Sequence, residues 1–125
     1  MSSDEIIAGN LKLNWVSPPP KMFVEGKYYS DPPIQIGSMK YKFVKLEPGI
    51  HAGKHNHKGQ NMQEWHQIIS GTGWCVIYNN DGSIKERIRL EPGKFSPMLD
   101  SDSPDHEFIN DDKEPMIYLA IERFF

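Results

Sequence analysis

The sequence predicts an all-β fold, a sandwich or barrel of short antiparallel strands around one core. Three observations carry this. Apolar residues recur with the period of 2 expected of strands, and no stretch sustains the 3.6-residue period of a helix. Turn-forming clusters such as Glu47-Pro48-Gly49, Asn79-Asn80-Asp81-Gly82 and Glu91-Pro92-Gly93 interrupt the chain about every eight to twelve residues. With 125 residues, the chain has the length of one domain that buries enough surface to fold without cross-links.

Residues 1–38 contain Pro18-Pro19-Pro20, Pro32-Pro33, Gly26 and Gly37, which break any long helix. They are expected to form an extended N-terminal arm with edge strands at Leu11 to Val16 and Met22 to Val24. Residues 39–125 form the body. Met39 to Leu46 is a strand, with Met39, Tyr41 and Phe43 on one face and Lys40 and Lys42 on the other. Glu47-Pro48-Gly49 turns the chain into the segment that carries His51, His55 and His57. Glu64 to Ile69 is a strand running into the turn Gly71-Thr72-Gly73. The Asn-Asn-Asp-Gly sequence at 79–82 joins Trp74 to Tyr78 with Ile84 to Leu90 as a hairpin. Lys94 to Leu99 is a short extended piece, and Asp100 to Asp105 a polar loop. Phe108 to Asn110, a turn at Asp111-Asp112-Lys113 and the strand Met116 to Arg123 complete the chain.

A formal net charge of -3 with dispersed cations leaves no electrostatic footprint for nucleic acid or an anionic membrane. Met1 to Asn10 has neither a basic n-region nor a long apolar run, and Met116 to Ile121 is far too short to cross a bilayer. The single cysteine, Cys75, cannot form an internal disulfide and reads as a small apolar core residue. A soluble, cytoplasmic protein is expected.

The most informative residues are His55, His57 and Glu64. Two histidines at i and i+2 in an extended segment face the same side, and a carboxylate from the next strand can join them. His106 supplies a fourth donor from a distant block. Neutral imidazoles with a carboxylate suit one divalent transition metal: iron, manganese, nickel, cobalt or zinc. Six-coordination would leave two positions for a small-molecule ligand or substrate that chelates through oxygen. His66 has the parity of Glu64 and lies about 7 Å further along the strand. It is a candidate catalytic acid or base, or else a histidine that orients a ligating neighbour. His51 is placed at the rim. Trp65, Trp74, Tyr78 and Tyr118 are expected in the core or an interface, and Gln60, Asn61 and Gln63 in a solvated loop or at the mouth of the site.

This arrangement resembles the cupin superfamily. Its first motif runs Gly, five residues, His-x-His, three or more residues, Glu, six residues, Gly, matched by Gly49, His55, His57, Glu64 and Gly71. Gly93, His106 and Asn110 match the ends of its second motif; Ser103 stands where a glycine is usual. The resemblance covers residues 46–122. It implies an antiparallel double-sheet jelly-roll barrel with a metal held by His55, His57, Glu64 and His106. It implies a homodimer, with the apolar arm of Leu11, Leu13, Trp15 and Val16 as the seam. The superfamily contains isomerases, oxygenases and non-catalytic binding domains, so an enzyme or a metal-anchored sensing module is implied. The gap between His57 and Glu64 is similar to that of cupin-type phosphoglucose isomerases, although no basic cluster placed to hold a sugar phosphate is evident.

Overall fold

The computed structural model describes residues 5–8 and 11–125, with side chains from Leu13 onward. Met1 to Asp4, Gly9 and Asn10 lie outside the described residues, as does the Leu11 side chain of the expected apolar arm. The larger of two sheets has eight strands. Along its main path these are β1 (Glu5–Ala8), β2 (Leu11–Val16), β3 (Lys27–Asp31), β5 (Met39–Leu46), β11 (Met116–Phe124), β6 (Met62–Ser70) and β9 (Leu99–Asp100), with β4 (Ile34–Ile36) also paired to β5. The smaller sheet orders β10 (His106–Ile109), β7 (Gly73–Tyr78) and β8 (Ile84–Leu90). Every named pairing is antiparallel. Among the described residues the only helical piece is a 3-10 turn at Pro20–Met22, and no helix is long and apolar enough to cross a membrane.

The core lies between the sheets. Val44 and Leu46 of β5, Ile68 of β6, Cys75 and Ile77 of β7, Leu90 of β8, and Met116 and Tyr118 of β11 meet there. On β6 and β11 the inward residues alternate strictly with half-buried ones, the signature of a strand with one covered face. Burial pushes the Cys75 thiol up to about 12, so it behaves as a packing group.

The structure changes two expectations and fixes the inward face of a strand. Met22 to Val24 is not a strand: Pro20, with its fixed φ, begins the 3-10 turn that uses Met22. On β5 the two faces divide as expected, and the one that carries Lys42 is inward. Val44 and Leu46 are buried, so Lys42, which shares their parity, points inward with them. Finally, the segment with His51, His55 and His57 is irregular chain laid along the edge of β10. Ala52 N–H donates to Phe108 O at 2.7 Å, His55 and His106 exchange both backbone bonds at 3.0 and 2.9 Å, and Asn110 N–H donates to Ile50 O at 3.0 Å. Asn110 itself is fully buried; its amide donates to Leu46 O and Glu114 O, and its carbonyl accepts from Asp112 N–H. This asparagine ties the small sheet to β5.

Candidate metal centre

Backbone pairing between His55 and His106 brings the two histidine blocks together. The rings of His55 and His106 are 4.5 Å apart between centroids, and each is within 5.2 Å of His57. Glu64 reaches the same point from β6. One donor atom from each of His55, His57, Glu64 and His106 falls within 4.8 Å of every other. All four sequence-predicted ligands are thus assembled.

The hydrogen bonds fit a metal set. His55 Nδ1 lies 3.1 Å from Gly53 O and His106 Nδ1 lies 3.0 Å from Pro104 O. Each ring therefore donates its Nδ1–H to a carbonyl and turns the Nε2 lone pair inward, as ligating histidines do. The Nε2 atom of His106 is buried without a hydrogen-bond partner, and that of His57 is buried with only the Glu64 carboxylate, 3.3 Å away, beside it. Such atoms cost about 1–3 kcal/mol each in a folded protein unless something compensates them. A cation among four converging donors would do so.

The ionisation states agree. Burial lowers His106 to about 4, with the carbonyl bond opposing and His55 and His57 adding to the effect. Burial likewise lowers His55. His57 is raised, because Glu64 Oε1 stands 3.3 Å from its Nε2 and outweighs burial. Burial alone would raise Glu64, yet His66 and His57 together hold its carboxyl well below the usual range. Burial thus favours the neutral imidazoles of His55 and His106, while the Glu64 anion draws His57 toward its protonated form.

His66 sits at the predicted place. Its Nε2 lies 3.0 Å from Glu64 Oε1 and its Nδ1 3.1 Å from Ser96 Oγ. Ser96, buried on the segment after β8, holds the ring, and the ring holds the carboxylate. His51 is at the exposed rim, 3.5 Å from Glu107. Of the aromatic group only Tyr118 is core; Trp65, Trp74 and Tyr78 are half-buried. Gln60 borders the cavity and is exposed, as a mouth residue would be.

The donors line a cavity of about 260 Å³ between the sheets. Four of its other walls were not anticipated: Lys27 and Tyr29 of β3, Lys42 of β5 and Glu122 of β11. Glu122 sits directly across from Glu64 in the β11–β6 register. Its Oε1 is buried without a hydrogen bond, and Lys42 Nζ stands 3.7 Å away. Lys27 is buried; its Nζ donates to Ala52 O at 2.9 Å. Burial, with Lys42 nearby, lowers Lys27 to about 8, while burial raises Tyr29 to about 12. Strand parity held the signal for two of these. Lys42 is in phase with Val44 and Leu46, and Glu122 with Tyr118 and Ala120.

No family model and no curated protein matches the sequence. Solved structures do match. A sugar phosphate isomerase of the cupin superfamily from Silicibacter pomeroyi superposes with a TM-score of 0.65 at 17% identity, over 89% of this chain and 69% of that one. The cupin domain of an XRE family transcriptional regulator from Enterobacter cloacae gives 0.62 at 17% identity, over 80% and 98%. The fold is that of the cupin superfamily. Oxalate decarboxylase of Bacillus subtilis, a protein with Mn(II) centres, gives 0.65 at 20% identity, over 81% of this chain and 26% of that one. The double-sheet jelly roll expected from the two motifs is therefore present, and the candidate ligands line its interior.

Proposed function

We propose that this cupin is a metal-dependent enzyme acting on a small polar metabolite that chelates through oxygen, with proton transfer, as in isomerisation, as its chemistry. His55, His57, Glu64 and His106 would hold one divalent transition metal. Manganese or iron fits the mixed nitrogen and oxygen donors, as nickel, cobalt and zinc do. Such an ion supplies Lewis-acid polarisation of a ligand oxygen.

The observation that carries the enzyme reading is Glu122. An inward carboxylate with a buried oxygen that has no hydrogen bond, one strand from Glu64, is the acid or base that a binding module does not need. Glu122 takes a proton from a ligand carbon or hydroxyl and returns it; Lys42 beside it stabilises the carboxylate before the proton is taken and after it is returned. The catalytic role expected of His66 narrows to positioning, since Glu64 and Ser96 occupy both ring nitrogens. Proton transfer through His66 would require it to release one of them.

The test is hydrogen exchange. Zinc- or manganese-reconstituted protein, kept anaerobic in D2O, is mixed with small α-hydroxycarbonyl compounds and followed by NMR. The expected result is deuterium incorporation at the α carbon that Glu122→Gln abolishes and His66→Phe reduces through weaker metal retention. Exchange that needs iron and consumes oxygen would replace isomerisation by oxygenation. Ligand binding without turnover under any metal would support the second reading, a metal-anchored sensing domain, for which the regulator's cupin domain is the structural parallel.

A homodimer is also proposed. Leu13 is already buried by its own chain, so the seam would use the exposed Val16 and the edge of the larger sheet. Light scattering at micromolar concentration should give twice the chain mass of 14.4 kDa; a monomer would remove the idea.

A further inference from the structure

Charge inside the cavity points to the ligand. Lys27 and Lys42 balance Glu64 and Glu122, so a divalent ion at the four donors would leave the cavity with its two positive charges uncompensated. In a low-dielectric space that excess attracts anions strongly. The lysines also stand on strands other than those that carry the donors. In the order β3-β5-β11-β6, Lys42 is two strands and Lys27 three strands from the strand of Glu64. At strand spacing that is roughly 10–14 Å between backbones. Both side chains reach inward from that far wall.

Neither ammonium is saturated. Lys27 gives one of its three N–H groups to Ala52 O. Lys42 Nζ lies 4.1 Å above the Tyr29 ring and 3.7 Å from Glu122, beyond hydrogen-bond reach of the carboxylate. Tyr29 lines the cavity between them. A buried lysine held on a carbonyl, with a second lysine on the neighbouring strand, is a built anion subsite.

Resting on the metal-centre reading above, we propose that the metabolite is a small dianion: a chelating α-oxygenated carboxylate at one end, and a second anionic group bound by Lys42 and Lys27 at the other. A volume of about 260 Å³ holds about nine waters, the bulk of a four- or five-carbon dicarboxylate. The sequence shows no basic cluster placed to hold a sugar phosphate, and this pair becomes visible only in the fold. The pair was hidden because β3 was not recognised as a strand and the sequence did not say which face of β5 is inward.

Malate and lactate test this directly, because they share the same α-hydroxycarboxylate head and only malate has a second carboxylate. Metal content is measured first, then each acid is titrated calorimetrically into the metal-loaded protein. Malate is expected to bind at least about tenfold tighter, the worth of one charge-assisted hydrogen bond. Lys42→Met should bring the ratio toward one, while Lys42→Arg preserves most of it. Lys27→Met removes a buried bond to Ala52 and is interpreted only where circular dichroism shows an intact fold. Equal binding of both acids to wild type, or no binding of either to protein that holds its ion, would overturn the dianion proposal and leave the metal centre standing. Protein that holds no ion would instead remove the metal reading itself.

Discussion

Replacing His106 by alanine should strip the protein of its metal. His106 is 1% exposed, its Nε2 has no partner within the protein, and its Nδ1 is fixed on Pro104 O. Loss of an outer partner of a metal ligand typically weakens binding about 10–100-fold, so loss of a ligand should exceed a hundredfold. His55→Ala and His57→Ala should do the same. Elemental analysis of protein purified without chelators should find one ion per wild-type chain and almost none in the variants. The thermal stabilisation that added metal gives wild type should vanish with it. A pH series sharpens the test. His106 is lowered to about 4 and Glu64 lies well below its usual range, so both arrive deprotonated near pH 6, and burial favours the neutral form of His55 as well. His57 alone is raised, and it must shed its proton before it can ligate. Affinity should therefore fall on acidification chiefly through His57. Three unperturbed histidines would give a steeper slope, and unchanged metal content in the variants would place the ion elsewhere.

The ligands were legible because their chemistry is rare and their spacing is short, while the rest of the cavity was legible only through phase. Met39–Leu46, Leu11–Val16 and Ile84–Leu90 were predicted to the residue, since each run is bounded by turn formers or a reversal. The inward face of β5 was not. Counting apolar residues favours Met39, Tyr41 and Phe43, but Val44 and Leu46 take the deepest positions, and a long lysine at 42 can share their face by placing its charged end in a polar cavity. Lys27–Asp31 was missed because Pro32-Pro33 and Gly26 crowd it from both sides, so its pairing with β2 and β5 is a tertiary fact. The histidine segment shows the opposite case. His55 and His57 converge as expected, but through irregular chain locked onto β10 rather than through strand alternation.

Gly71→Ala should be the most destabilising single-methyl change of the turns, and the cause is backbone contact. Gly71 has φ of +77°, where an L residue is strained by about 1–2 kcal/mol. A Cβ there would also overlap the Pro115 carbonyl oxygen and lie 2.8 Å from the Met116 Cα. Neither is the end of a flexible side chain, so the start of β11 must move, at a further cost of about 1–3 kcal/mol. Gly49→Ala is the control. It has a comparable φ of +79° with nothing within 4 Å of the added carbon, so it bears the strain without the collision. Urea unfolding should give a loss of roughly 3–4 kcal/mol for Gly71→Ala and about 1 kcal/mol for Gly49→Ala. Equal losses would mean that the turn yields easily and that conformational strain is the whole effect. The difference also reaches the site. Gly71 opens the turn after β6 against the residue that opens β11, and those two strands set Glu64 opposite Glu122. A displaced β11 start should therefore lower Glu122-dependent deuterium exchange in protein that is still folded and still holds its metal, whereas Gly49→Ala should leave the exchange rate near that of wild type.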